Sequence, residues 1–151
     1  MTSTPQLTLT TPVPPALREI RQLNAELDRL EAIETEIRDA REEGSMSTAE
    51  RFERIHRAAL KVAGLAIERQ NAQRKRKLPL NVWKALERMG GKHRARALDV
   101  ARFVELRRIS GNYWESTGII SEQHVREHAE QTLAYLVEVR EELLGLEALA
   151  A

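Results

Sequence analysis

Val125, Ala129, Thr132, Leu136, Val139, Leu143 and Leu146 recur in an alternating four-and-three rhythm. An α-helix returns to the same face every 3.6 residues, so this spacing draws one stripe along a helix and scatters over both faces of a strand. An apolar stripe must be covered. No segment shows sustained strand-type alternation, so the cover has to come from other helices. A second seam lies near the other end. Ala16, Leu23, Leu30 and Ile37 recur every seven residues, Ile20 and Leu27 fall between them, and Glu34 interrupts the second row. These coiled-coil-like patterns predict an all-α fold, a single up-and-down helical bundle of about five helices with a long N-terminal helix.

Local signals set the boundaries. Residues 1–13, rich in Thr with Pro5 and Pro12, lack helical period and read as a disordered tail; Pro14 and Pro15 suit a helix start. The domain then spans 14–151, with a long acidic helix over 14–44 stopped by Gly44 and a bundle over 47–149. Ser47 and Glu50 read as a capping box opening helix 2, whose buried face is Phe52, Ile55, Ala59, Val62 and Ala66. Its last stretch, ERQNAQRKRK, has only Ala72 as an apolar residue, so it either projects into water or unravels before Pro79. Asn81 caps a short helix over Val82–Met89, and Gly90-Gly91 makes a turn. Helix 4 runs from about Lys92 to Ile109 with two apolar faces, which suits a central helix packed on both sides. Ser121 caps helix 5.

Charge is segregated along the chain. Residues 1–50 hold 5 basic and 10 acidic side chains, residues 51–110 hold 17 and 5, and residues 111–151 hold 2 and 8, although the net charge is only +1. Either the basic middle meets an anionic partner, or packed helices neutralise one another. With no Cys, disulfides, zinc ribbons and thiol catalysis are excluded, and a reducing, cytoplasmic location is expected. No signal peptide and no membrane span are expected.

Read from Ser47 to Leu146, the order is a capped helix, a basic linker, LPLNVWKALERMG, a helix ending ELRRISGNYW, and ISEQHVREHAEQTLAYLVEVREELL. This resembles the HEPN superfamily (higher eukaryotes and prokaryotes nucleotide-binding), and most of all its small actinobacterial HEPN-like branch. The resemblance implies a helical bundle, frequent dimerisation and, in active members, metal-independent RNA cleavage by an Arg and a His four to six residues apart near the end of the helix matching helix 4. That place holds Arg107, Arg108, Asn112 and Tyr113 and lacks the histidine. Neither Asn nor a Tyr of ordinary pKa exchanges protons well near neutral pH. The resemblance therefore implies binding without cleavage.

Two other pairs match the spacing, Arg51 with His56 and Arg88 with His93, as chance allows in a chain this rich in arginine. His93 is the better placed, at a helix start that favours phosphate; its alternative is an ordinary surface residue. Candidate phosphate contacts are Arg69, Arg74, Lys75, Arg76 and Lys77, extended on helix 4 by Lys92, Arg96, Arg107 and Arg108. The competing reading pairs these cations with acidic groups of helices 1 and 5. Tyr113 and Trp114 either stack on bases or plug the bundle end. His124 and His128 have a metal-compatible spacing without a third ligand, so no metal and no cofactor are expected. The expected function is that of a non-catalytic HEPN-like protein, homodimeric through helix 1, helix 5 or both, binding RNA, a nucleotide or an acidic partner. An endoribonuclease using Arg88 and His93, or a helical scaffold for another protein, are the alternatives.

Overall fold

Three polar side chains start three of the helices. Ser47 Oγ accepts from the Glu50 amide (3.1 Å), Asn81 Oδ1 from that of Lys84 (3.1 Å) and Ser121 Oγ from that of His124 (3.2 Å). Each satisfies a first-turn N–H that the helix itself leaves unpaired. At Ser121 the cap is reciprocal, because the Ser121 amide donates to His124 Nδ1 (3.0 Å). The computed structural model describes residues 15–112 and 118–145. Its helices are α1 (Pro15–Glu42), α2 (Thr48–Asn71), α3 (Val82–Met89), α4 (Gly91–Asn112) and α5 (Glu122–Leu144). No strand occurs among the described residues, and no described helix is long and apolar enough to cross a membrane.

The expected all-α bundle is what forms. Centrally placed α2 packs on α1, α3 and α5; α5 also covers α1, while α4 rests on α3 and touches α5. Leu30 and Ile37 of α1, Phe52, Ile55, Val62 and Leu65 of α2, Leu86 of α3, Val100 and Phe103 of α4, and Val125 and Leu136 of α5 are almost wholly buried together. The α5 seam is buried from Val125 to Leu143. Gly145 then takes a left-handed conformation (φ 72°) and ends the helix, a stop the seam reading ran through. Leu146, the tail over residues 1–13, Pro14, Tyr113 and Trp114 lie outside the described residues.

Of the two alternatives for the ERQNAQRKRK stretch, the second holds: α2 stops at Asn71 and the chain unravels after it, since a segment with one apolar residue gains nothing from packing. Buried Leu78 then anchors the linker, and its amide donates to Asn71 Oδ1 (2.9 Å). The expectation that α4 is packed on both sides needs correction. Ala97, Val100 and Phe103 are buried, whereas Leu98 is 64% exposed and forms an open apolar groove with Trp83, Ala101 and Val104. The α1 seam is covered over only part of its length: Leu30, Ile33, Ile37 and Ala40 are buried, whereas Ala16 and Ile20 are exposed.

Candidate functional site

Six cations of the basic middle, Arg51, Lys61, Arg69, Lys92, Arg102 and Arg107, are neutralised by helix-to-helix ion pairs. Arg69 meets Glu26 of α1 at 2.7 Å and Lys61 meets Glu36 at 3.1 Å. Lys92 and Arg102 of α4 meet Glu142 and Glu127 of α5, each at 2.9 Å. Arg140 of α5 reaches Glu34 of α1 (2.6 Å), so the residue that interrupts the α1 seam is an inter-helix anchor. Arg51, nearly buried, donates to the Ala40 carbonyl (2.9 Å), to that of Arg41, and to Glu122 (2.6 Å). Pairs exposed on both sides stabilise little, but they consume charge that would otherwise attract a polyanion.

The place where the resemblance expects cleavage chemistry is locked in the same way. Arg107 holds Glu53 of α2 with two hydrogen bonds of 2.7 and 2.8 Å. That fork keeps the Glu53 carboxyl below its usual range and Arg107 above its own. Arg108 turns back on Glu105 of its own helix.

His93 corrects the expectation of a surface residue, because it is only 6% exposed. Its Nδ1 lies 2.8 Å from Tyr135 Oη and its Nε2 2.8 Å from Glu142. With both ring nitrogens engaged, nothing remains to exchange a proton with a substrate. Arg88 points elsewhere, into an open cleft that His93 does not line. Arg96, expected to extend a phosphate-binding face, is instead 4% exposed and bonded to Thr132 Oγ1 (2.9 Å).

His56 and His128 also part from their spacing partners, Arg51 and His124, and meet each other. His56 Nδ1 and His128 Nε2 are 3.1 Å apart, among Phe52, Phe103 and Trp83. Burial pulls the His56 imidazole down to about 4, and His128 is held down by burial first and by His56 second. These are neutral core histidines. Among the described residues no group of three or more His, Asp or Glu is placed to hold a metal.

The cations of the linker and of the α3–α4 corner form no ion pair with a carboxylate among the described residues. Lys77 is spent on the end of α2, where its Nζ donates to the carbonyls of Asn71 (2.6 Å) and Arg74 (3.0 Å), as suits a cation at a helix C-terminus. Arg74 bonds the Arg76 carbonyl (3.0 Å). Lys75 and Arg76 are exposed beside them. The linker then leads through Pro79 to a cleft of about 380 Å³ at the α3–α4 corner, lined by Lys84, Arg88 and Arg94 with Glu87. Sequence reasoning found Lys75 and Arg76 as a run, and missed Lys84 and Arg94. The available signal was the Gly90-Gly91 turn, which folds the exposed face of α3 against the start of α4.

No family model matches the chain, and neither a curated protein nor a solved structure matches it.

Proposed function

We propose that this chain is a non-catalytic RNA-binding protein, HEPN-like in its helix order and dimeric in the cytoplasm, that holds the phosphate backbone on the linker and the α3–α4 corner. One observation carries the reading: Lys84, Arg88 and Arg94 line one cleft without a carboxylate partner, while so many other cations are matched by acidic residues of neighbouring helices. A cation already held by a carboxylate must give up that partner to meet phosphate, whereas unpaired exposed cations release counterions on binding it. Cleavage is left out because His93 has no free ring nitrogen and Arg107 is held by Glu53. Dimerisation is placed on the uncovered first turns of α1, where Leu17 and Ile20 are exposed.

Five cations, Lys75, Arg76, Lys84, Arg88 and Arg94, define the expected salt dependence. For a single strand, log affinity should fall against log salt with a slope of about −3.5 if all five meet phosphates. Between 50 and 200 mM salt, that is a loss of roughly a hundred-fold. Fluorescence anisotropy with an unstructured RNA measures it directly. Changing these five residues to Gln should flatten the slope and weaken binding at low salt by at least ten-fold, while Lys61→Gln and Arg107→Gln, which alter paired cations, leave it nearly unchanged. Binding by the five-fold variant equal to that of the wild type would sink the proposal, as would cleavage of the RNA by the wild-type protein without added metal.

A further inference from the structure

Arg96 is a buried cation of α4 whose hydrogen bonding the bundle leaves unfinished. The side chain is 4% exposed, yet its only hydrogen bond is the one from Nη2 to Thr132 Oγ1, and its Nε and Nη1 have no partner. The Tyr135 ring lies 5.5 Å below the guanidinium carbon and supplies weak compensation. Arg51, buried to a similar degree, has a carboxylate and two carbonyls. A guanidinium taken out of water without such partners is costly, so a retained one calls for a partner that comes and goes.

The surroundings describe that partner. Arg96 forms part of the wall of a cleft of about 150 Å³ between α4 and α5, together with Lys92, Asp99, Gln131, Tyr135 and Glu138. Buried Gln131 Oε1 in the same wall also lacks a partner. Unmet donors on Arg96 and an unmet acceptor on Gln131 thus share one small space. Lys92 is already matched by Glu142, so the balance of the wall is one guanidinium against the two carboxylates of Asp99 and Glu138. A simple anion would meet Arg96 and be repelled by both carboxylates; a simple cation would meet the reverse. A molecule carrying both charges satisfies both. The volume equals that of about five water molecules, which limits the ligand to roughly five to ten non-hydrogen atoms.

We propose that this cleft binds a small zwitterion of the α-amino-acid class, with its carboxylate on the Arg96 guanidinium and its ammonium between Gln131 Oε1 and the carboxylates of Asp99 and Glu138. Nε and Nη1 of Arg96 and Oε1 of Gln131 lie just under the wall rather than in the open mouth, so binding includes a turn of the guanidinium and of the Gln131 amide toward the cleft. The site is separate from the linker and the α3–α4 corner, and it does not depend on RNA binding.

Amide chemical shifts of the full-length, ¹⁵N-labelled protein test this, with glycine, L-alanine, acetate and methylammonium as probes. Glycine or alanine should shift the amides of residues 95–99 and 131–138 in a saturable way, with acetate and methylammonium each at least ten-fold weaker. Asp99 is exposed, so Asp99→Asn should fold normally, weaken alanine several-fold and leave acetate equal or tighter. Arg96→Met should abolish the alanine response while leaving RNA affinity unchanged. Acetate binding as tightly as alanine overturns the zwitterion assignment. No saturable shift from glycine or alanine at tens of millimolar, or an Asp99→Asn variant that binds alanine like the wild type, overturns the site.

Discussion

The buried His56–His128 contact makes stability depend on pH, and its sign follows from the direction of the shifts. Burial favours the neutral imidazoles, lowering His56 from the ordinary 6.5 to about 4 and His128 likewise downward. The unfolded chain therefore binds more protons than the folded one as pH falls from about 6.5 toward 4. Stability from this pair is full above pH 6.5 and is lost through that window. Thermal melts at pH 7.5, 5.5 and 4.5 should show a falling midpoint. The fall should be shallower in a His56→Leu/His128→Leu double variant, and an equally steep fall there would assign the effect to other groups. The contact was only half legible in the sequence. His56 follows Ile55 on the buried face of α2, and His128 adjoins Ala129 in the α5 seam, so each could be placed inside. Periodicity does not say which residues of two helices face each other, and spacing along the chain suggested the wrong partners. Arg96 stands at the i−4 and i−7 positions to Val100 and Phe103, which marked it as core-facing, yet the similar angular position of Arg107 disguised this. The two differ because α5 covers α4 at Arg96, through Thr132, whereas Arg107 stays half exposed beside Glu53.

Helix boundaries were the most readable element because each has a local cause: Ser47, Asn81 and Ser121 at three starts, and Gly90 and Gly145 at two ends. What the sequence could not say was how the ends are tied together. Arg51 joins the last carbonyls of α1 to the first turn of α5 through Glu122, linking helices that are distant along the chain. Breaking a buried pair strands its other polar groups, so Arg51→Ala should lower unfolding free energy by about 3 kcal/mol in urea titration. Glu122→Gln should cost less, because that carboxylate is nearly half in water. The glycines split in the same experiment. Gly64 sits inside α2 with open space where a Cβ would go, so Gly64→Ala should stabilise by about 0.5–1 kcal/mol. Gly90 ends α3 at φ 76°, ψ −175°, a region open to almost no other residue, so Gly90→Ala should destabilise by about 1–3 kcal/mol although the space is equally open. If both substitutions moved stability the same way, the backbone explanation would fail.

At the scale of the whole molecule, the acidic–basic–acidic layout of the sequence is in part an internal device. Acidic residues of α1 and α5 neutralise cations of α2 and α4, and the surplus is left at the linker and the α3–α4 corner. The same layout leaves α1 too long for its partners. Burial begins near Glu26 and Leu30, while Ala16 and Ile20, on the same stripe, are exposed, Ile20 to 54%. A stripe that continues past the bundle is suited to the equivalent stripe of a second copy, since antiparallel or parallel pairing of identical seams closes a two-fold interface. Removing residues 1–22 should therefore shift the melting midpoint by no more than a few degrees, because the deleted side chains that are described are exposed. In sedimentation velocity at micromolar concentration, the same deletion should convert a dimer to a monomer. The exposed groove around Leu98 provides the contrast. If Leu98→Asp dissociates the dimer and the deletion does not, the interface lies on α4, and a monomeric wild-type chain would end the dimer proposal altogether.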